Sequence, residues 1–199
     1  MERTVVSCGG LVKWIRLVAH NLRGKQCVQI SPQTQARITQ LLGRTPRGLE
    51  EVAVARADGE PVVIRVASLV DDKPFPTLFW LVDPGIAYRI DQAEAAGTIL
   101  ELQARVDADV ELQQAMRADH RAHIRLRDSY ISADLRRRIE RLGFGPVLAT
   151  RGIGGIADFQ RIRCLHTWYA AHLVVPNTIG RLLNAHWNTA RPEAPAKTD

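Results

Sequence analysis

Arg163-Cys-Leu-His166 and, six residues on, His172 form the stretch of this 199-residue chain where nucleophile, base and metal-ligand residue types lie closest together. A cysteine thiolate is both a nucleophile and a soft metal ligand, and an imidazole is both a general base and a ligand. The catalytic candidates are therefore Cys164 as nucleophile, with His166 or His172 as its base. Residues 159–174 read as a continuous helix capped by Asp158. On such a helix His166 and His172 are about 9 Å apart along the axis, and Cys164 and His172 about 12 Å. Cys164 and His166 point to opposite sides, so a Cys-x-His chelate requires a non-helical turn there. A metal is accordingly not the favoured reading; the ligand set, if an ion is held, is Asp83, Cys164 and His166. The helix instead aligns Cys164, Trp168 and His172 on one stripe. That stripe reads either as core or as a thiol activated near a helix N-terminus.

Just upstream, Arg151-Gly-Ile-Gly-Gly155 is a glycine-rich turn with Arg161 and Arg163 close behind it. Glycines let backbone N–H groups approach a ligand, and arginines add charge-assisted contacts to phosphate or carboxylate. The expected ligand-binding residues are Arg151, Gly152, Gly154, Gly155, Arg161 and Arg163, holding a small anionic ligand such as a phosphorylated one. The other reading is a tight turn that needs positive φ. Gly-x-Gly-Gly matches neither a P-loop nor a dinucleotide fingerprint, and no Ser-His-Asp, His-Glu-x-x-His or paired-cysteine zinc motif is present. The cofactor stays unknown, and whether the protein is an enzyme stays open.

The formal net charge of +6 invites a nucleic-acid reading. Residues 1–30 carry most of it, with Arg3, Lys13, Arg16, Arg23 and Lys25 against Glu2, so no broad nucleic-acid surface is expected. Leu11, Ile15, Val18 and Leu22 repeat at helical spacing, giving a basic amphipathic N-terminal extension over 1–30. Arg117, Arg121 and Arg125 recur every four residues within an arginine-rich segment, 117–141. The competing function is a non-catalytic interaction module that meets an acidic protein or a membrane surface through that stripe and the N-terminal helix. His120 and His123 read as surface groups.

Three cysteines, too few for a disulfide framework, and no apolar run of membrane-spanning length point to a cytoplasmic protein. Apolar residues at 46% and charged residues at 24% are an ordinary globular mixture. Ser31-Pro32 opens a helix that Gly43 closes. Residues 51–57 and 61–67 alternate around Asp58-Gly59, a hairpin signal. Residues 77–82 are apolar on both faces and read as the central strand. Helical patterns then run from Pro84 to Gly97, 99–106, 109–128, 132–143, 159–174 and 178–187. The expected fold is α+β, a small antiparallel three-stranded sheet covered by a bundle of five or six helices. Residues 31–187 form this domain, and 188–199 form a disordered tail.

Several blocks together resemble a bacterial family catalogued as domain of unknown function 501. They are Leu42-Gly-Arg-Thr-Pro-Arg-Gly48, Pro74-Phe-Pro-Thr-Leu-Phe-Trp-Leu81, Glu94-Ala-Ala-Gly97, Gly154-Gly155, Arg163-Cys-Leu-His166 and Ala171-His172. The resemblance implies a cytoplasmic protein without implying a reaction. Relatives carry a Cys-x-x-Gly-x-Pro element where this chain reads Arg56-Ala-Asp-Gly-Glu-Pro61, which removes a soft ligand from any inherited metal site. They also carry Cys or His at the place of Asp83.

Overall fold

The computed structural model describes residues 15–17 and 30–189. Three antiparallel strands form the expected sheet: β2 (Leu49–Arg56), β3 (Pro61–Val66) and β6 (Phe79–Leu81). β1 (Ile15–Leu17) adds a fourth strand, giving the order β1-β2-β3-β6. This corrects the N-terminal helix, because Ile15 pairs with Arg56 and Leu17 with Val54. The long outer edge of β2 offers backbone partners that a helix through these residues would leave unused. The rest of that extension, the membrane contact assigned to it and the 190–199 part of the tail lie outside the described residues. Two short strands, β4 (Leu69–Val70) and β5 (Lys73–Pro74), pair separately.

The hairpin between β2 and β3 turns at Asp58-Gly59. Asp58 Oδ1 accepts from the Glu60 N–H at 3.0 Å, and Gly59 takes φ +88°, open to glycine without strain. β3, not the 77–82 segment, is the central strand. Among the described residues, β6 pairs with β3 alone and stands at the sheet edge.

Helix α1 (Pro32–Leu42) covers one face of the sheet, its Ile38 packing with Ile64, Val66 and Val82. The opposite face carries the main core, built from α2 (Pro84–Ala95), α3 (Thr98–Ala108), α4 (Val110–Tyr130), α7 (Leu165–Val174) and α8 (Thr178–Thr189). α5 (Ala133–Arg141) and the short α6 (Gly145–Thr150) form a smaller cluster around Ile139 and Leu148. Caps explain most boundaries: Ser31, Asp83, Asp109 and Ser132 each accept a first-turn N–H. No helix among the described residues is long and apolar enough to cross a membrane.

Two features of this packing run against the sequence reading. His120 and His123 are buried, not surface groups, and share the inward face of α4 with Met116 and Arg127. Arg127, fully buried, donates to the carbonyls of Pro76 and Leu148 and so ties the β6 approach to α6. Furthermore, residues 159–164 are not helical, and Asp158 caps a turn instead. One glutamine explains why. Gln103 Oε1 accepts from the Ile162 N–H at 2.9 Å while its Nε2 donates to the Gln160 carbonyl at 2.9 Å. Backbone groups that would start a helix at 159 are spent on α3, so α7 starts only at Leu165.

Candidate functional site

Delaying α7 to Leu165 makes Cys164 its N-cap residue, extended at φ −156° and ψ 122°. This supplies the non-helical turn that a Cys-x-His pair needs. Cys164 and His166 now lie on the same side, Sγ to Nδ1 3.8 Å. The last turn of α2 brings Glu94 against them, with Oε1 3.6 Å from His166 Nδ1. One donor atom from each of Glu94, Cys164 and His166 lies within 4.8 Å of the others, and all three side chains are half-buried.

Each side chain is held in place. Glu94 Oε1 accepts the Leu165 N–H at 2.6 Å, satisfying an amide at the start of α7 that Cys164 leaves uncapped. Thr167 Oγ1 donates to the Cys164 carbonyl at 3.0 Å. Asp91, one turn before Glu94 on α2, places Oδ1 3.3 Å from His166 Nε2. The imidazole thus sits between the cysteine and Glu94 on one edge and Asp91 on the other. The contact with Cys164, reinforced by the charges of Cys164, Glu94 and Asp91, raises the His166 pKa against the opposing effect of burial.

A cleft of about 210 Å³ opens beside this cluster, lined by Thr77, Phe79, Trp80, Leu81, His166 and Thr167. It lies between β6 and the first turn of α7. Of the cluster, His166 lines this largely apolar groove.

Other residues singled out in the sequence lie elsewhere. Asp83 is buried at the N-cap of α2, where it accepts from Ile86 N–H at 3.0 Å and pairs with Arg56 Nε at 2.8 Å. Glu94 lies eleven positions further on, about 16 Å along the axis, so Asp83 is not a neighbour of the cluster. His172, near the C-terminal end of α7, accepts from Asn177 N–H at 3.0 Å and contacts Asn184 at 3.2 Å. Burial lowers its pKa, and it pins the chain between α7 and α8.

The glycine turn faces the protein rather than a ligand. The N–H groups of Gly152, Ile153, Gly155 and Ile156 donate to Ile156 O, His120 Nδ1, Gly152 O and Ile153 O respectively. Gly152 packs on His120 and Gly154 on Thr167, so their small size serves close packing. Arg151, Arg161 and Arg163 are exposed, and Arg161 lies 3.7 Å from Asp107 and 3.8 Å from Asp158. Arg161 is thus turned towards carboxylates. Arg117, Arg121 and Arg125 line the exposed side of α4 as the spacing requires, while Arg137 and Arg138 pair with Asp134 and Asp72.

The family described as a protein of unknown function, DUF501, matches residues 52–185, well over half of the chain. The chain belongs to DUF501. That match spans β2 through most of α8 and includes Glu94, Cys164 and His166. Neither the curated proteins nor the solved structures contain a match to the chain.

Sequence reasoning missed Asp91 and Glu94. A signal for them existed: they sit three residues apart on one face of α2, and Glu94 opens one of the blocks that carried the DUF501 resemblance. The assumption of an unbroken 159–174 helix concealed what they meet.

Proposed function

We propose that this DUF501 protein binds one divalent transition-metal ion of the zinc class between Glu94, Cys164 and His166. In this reading the ion's open coordination position serves a small molecule in the adjoining cleft. The observation that carries it is the convergence of a thiol, an imidazole and a carboxylate from two elements to within 4.8 Å. A tetrahedral zinc with ordinary bond lengths places sulfur, nitrogen and oxygen ligands about 3.4–3.6 Å apart, close to the 3.8 and 3.6 Å found here.

Charge supports the same reading. A cysteine ligates as its thiolate, so together with the Glu94 carboxylate it would offer an ion two negative charges, which a divalent cation balances. The mixed donor set suits a borderline-soft ion and is wrong for calcium or magnesium, which prefer oxygen alone. Asp91 behind His166 is the carboxylate that a ligating imidazole ordinarily engages through its other nitrogen. Three protein ligands with a fourth position free is the catalytic type of zinc site. Such an ion polarises a bound water or carbonyl, so the reading is a metal-dependent enzyme acting on a ligand seated along β6.

Elemental analysis of untagged protein tests this. Wild type and the exposed control Arg163→Ala are expected to hold about one equivalent of ion, while Cys164→Ala and Glu94→Gln lose it. Asp91→Asn is expected to weaken affinity about 10–100-fold without abolishing it. Wild type that takes up no stoichiometric zinc, or Cys164→Ala that retains it, contradicts the proposal.

The 3.8 Å sulfur–imidazole contact favours a second reading. Without an ion, Cys164 and His166 are a nucleophile and its proton acceptor, as in covalent thiol catalysis. Alkylation by iodoacetamide separates the two: zinc protects Cys164 in the first reading and leaves its rate unchanged in the second.

A further inference from the structure

The cleft between β6 and α7 is lined by no permanently charged side chain. Its walls are Thr77, Phe79, Trp80, Leu81, His166 and Thr167, with neither an arginine nor a lysine among them. The charged groups that reach His166 are acidic, Asp91 Oδ1 at 3.3 Å from Nε2 and Glu94 Oε1 at 3.6 Å from Nδ1. An ion held by Glu94, Cys164 and His166 would add two positive charges. The thiolate and the Glu94 carboxylate balance these, so Asp91 still leaves the site negative. Phosphate and carboxylate ligands therefore meet repulsion with no cation in the cleft to offset it. An ammonium ligand fares little better, because Phe79, Trp80 and Leu81 give it nothing in exchange for its lost water.

The polar contacts left to a ligand are two hydroxyls of unequal capacity. Thr167 Oγ1 donates its proton to the Cys164 carbonyl at 3.0 Å, so towards a ligand it only accepts. Thr77 spends its hydroxyl on no hydrogen bond among the described residues, and is able to donate. A carboxamide matches this pair, since its N–H donates and its carbonyl accepts. Volume sets the size. An apolar cavity of about 150 Å³ takes benzene, so a cleft of about 210 Å³ holds a single ring together with its amide group.

We infer that the cleft takes a small uncharged carboxamide, one ring or one short apolar chain in size. This names the ligand class of the site proposed above, and its link to catalysis rests on that reading. The amide N–H is directed to Thr167 and the carbonyl to Thr77. A second lone pair on that carbonyl remains for an ion beside His166.

Benzamide, benzoate and benzamidinium are the probes, alike in size and shape and different in charge. Each is titrated into the full-length protein while amide resonances are followed by NMR. Benzamide is expected to shift the Thr77 and Thr167 amides, with benzoate and benzamidinium each binding about tenfold more weakly or worse. Thr77→Val, which keeps the side-chain shape, should cost benzamide about tenfold, the loss of one hydrogen bond. The inference is overturned if either charged analogue binds as tightly as benzamide, or if Thr77→Val leaves benzamide affinity unchanged. Shifts mapping away from the cleft, or no shift at millimolar benzamide, overturn it equally. Chelator-stripped protein separates this outcome from that of the metal reading. Benzamide shifts at Thr77 and Thr167 in protein that binds no ion uphold the ligand class and discard the ion. One bound ion with no benzamide shift does the reverse.

Discussion

Lowering the pH from 7 towards 4 is expected to unfold this protein, through two buried histidines, neither of which is among the ion pairs of the described residues. Burial, opposed by the charge of Asp158, lowers the His120 pKa from 6.5 to about 4. Burial, with the charges of Arg127 and His120 adding to it, lowers that of His123 to about 3. His120 accepts the Ile153 N–H on Nδ1 and stacks on Phe159, so protonation removes a hydrogen bond as well as forcing a charge into the core.

The sign follows from linkage. Each imidazole binds its proton more weakly in the folded than in the unfolded chain, so its contribution is complete above pH 6.5 and is lost as the pH falls towards the folded value. At about 1.4 kcal/mol per pH unit, His120 alone removes on the order of 3 kcal/mol by pH 4. His123 loses a similar amount over the same interval, and His172, also lowered, adds to the decline. His166 is raised and works in the opposite direction, but it is a single, partly exposed group. The sum is comparable to the whole stability of a typical domain, about 5–15 kcal/mol. Urea-unfolding midpoints should therefore fall steeply between pH 6.5 and 4. His123→Phe, which keeps an aromatic ring against Phe79, should flatten the slope; a wild-type midpoint constant down to pH 4.5 would refute this.

Gly152→Ala should be among the most damaging single-methyl changes in the chain. Its φ is −88°, outside the left-handed region that favours glycine. The cost is steric: the new Cβ falls well under 3.0 Å from His120 Nδ1. Moving His120 breaks the Ile153 hydrogen bond and disturbs its packing on Phe159 and Trp168. Overpacking and an orphaned buried amide together cost roughly 2–6 kcal/mol. Gly43→Ala is the informative comparison, since Gly43 sits at φ +67° with nothing within 4 Å of a Cβ; it should cost only about 1–2 kcal/mol. His120→Ala clears the obstructing ring, so the double variant should recover part of the Gly152→Ala loss. Strict additivity would mean that the two sites do not touch.

Local rules made much of the fold legible. The Asp58-Gly59 hairpin, the Ser31, Asp109 and Ser132 caps and the stops at Gly43 and Gly97 depend on residues within a few positions of one another. What stayed hidden depends on distant partners. The start of α7 is set by Gln103 on α3, and the edge position of β6 by its pairing with β3 alone among the described strands. The inward row Met116, His120, His123 and Arg127 follows helical spacing, but polar residue types disguised it as a surface. The Cys164–His166 pair was visible as a spacing and misjudged as a geometry, because six residues of assumed helix are extended or turned. Glu94 and Asp91 looked like ordinary surface acids on α2 until that turn delivered α7 to them. Conversely, the glycine turn looked like a ligand cradle because sequence shows that glycines approach something closely, without showing that the something is His120 and Thr167.

The account stands or falls on whether an ion joins Glu94, Cys164 and His166. Cobalt substitution of chelator-stripped protein tests it most directly, since the spectrum reports both coordination number and sulfur ligation. One Co(II) per chain is expected, with the strong visible bands of a four-coordinate ion and a near-ultraviolet thiolate-to-cobalt band that disappears in Cys164→Ala. A pale six-coordinate spectrum lacking that band, or one unchanged in Cys164→Ala, would contradict it.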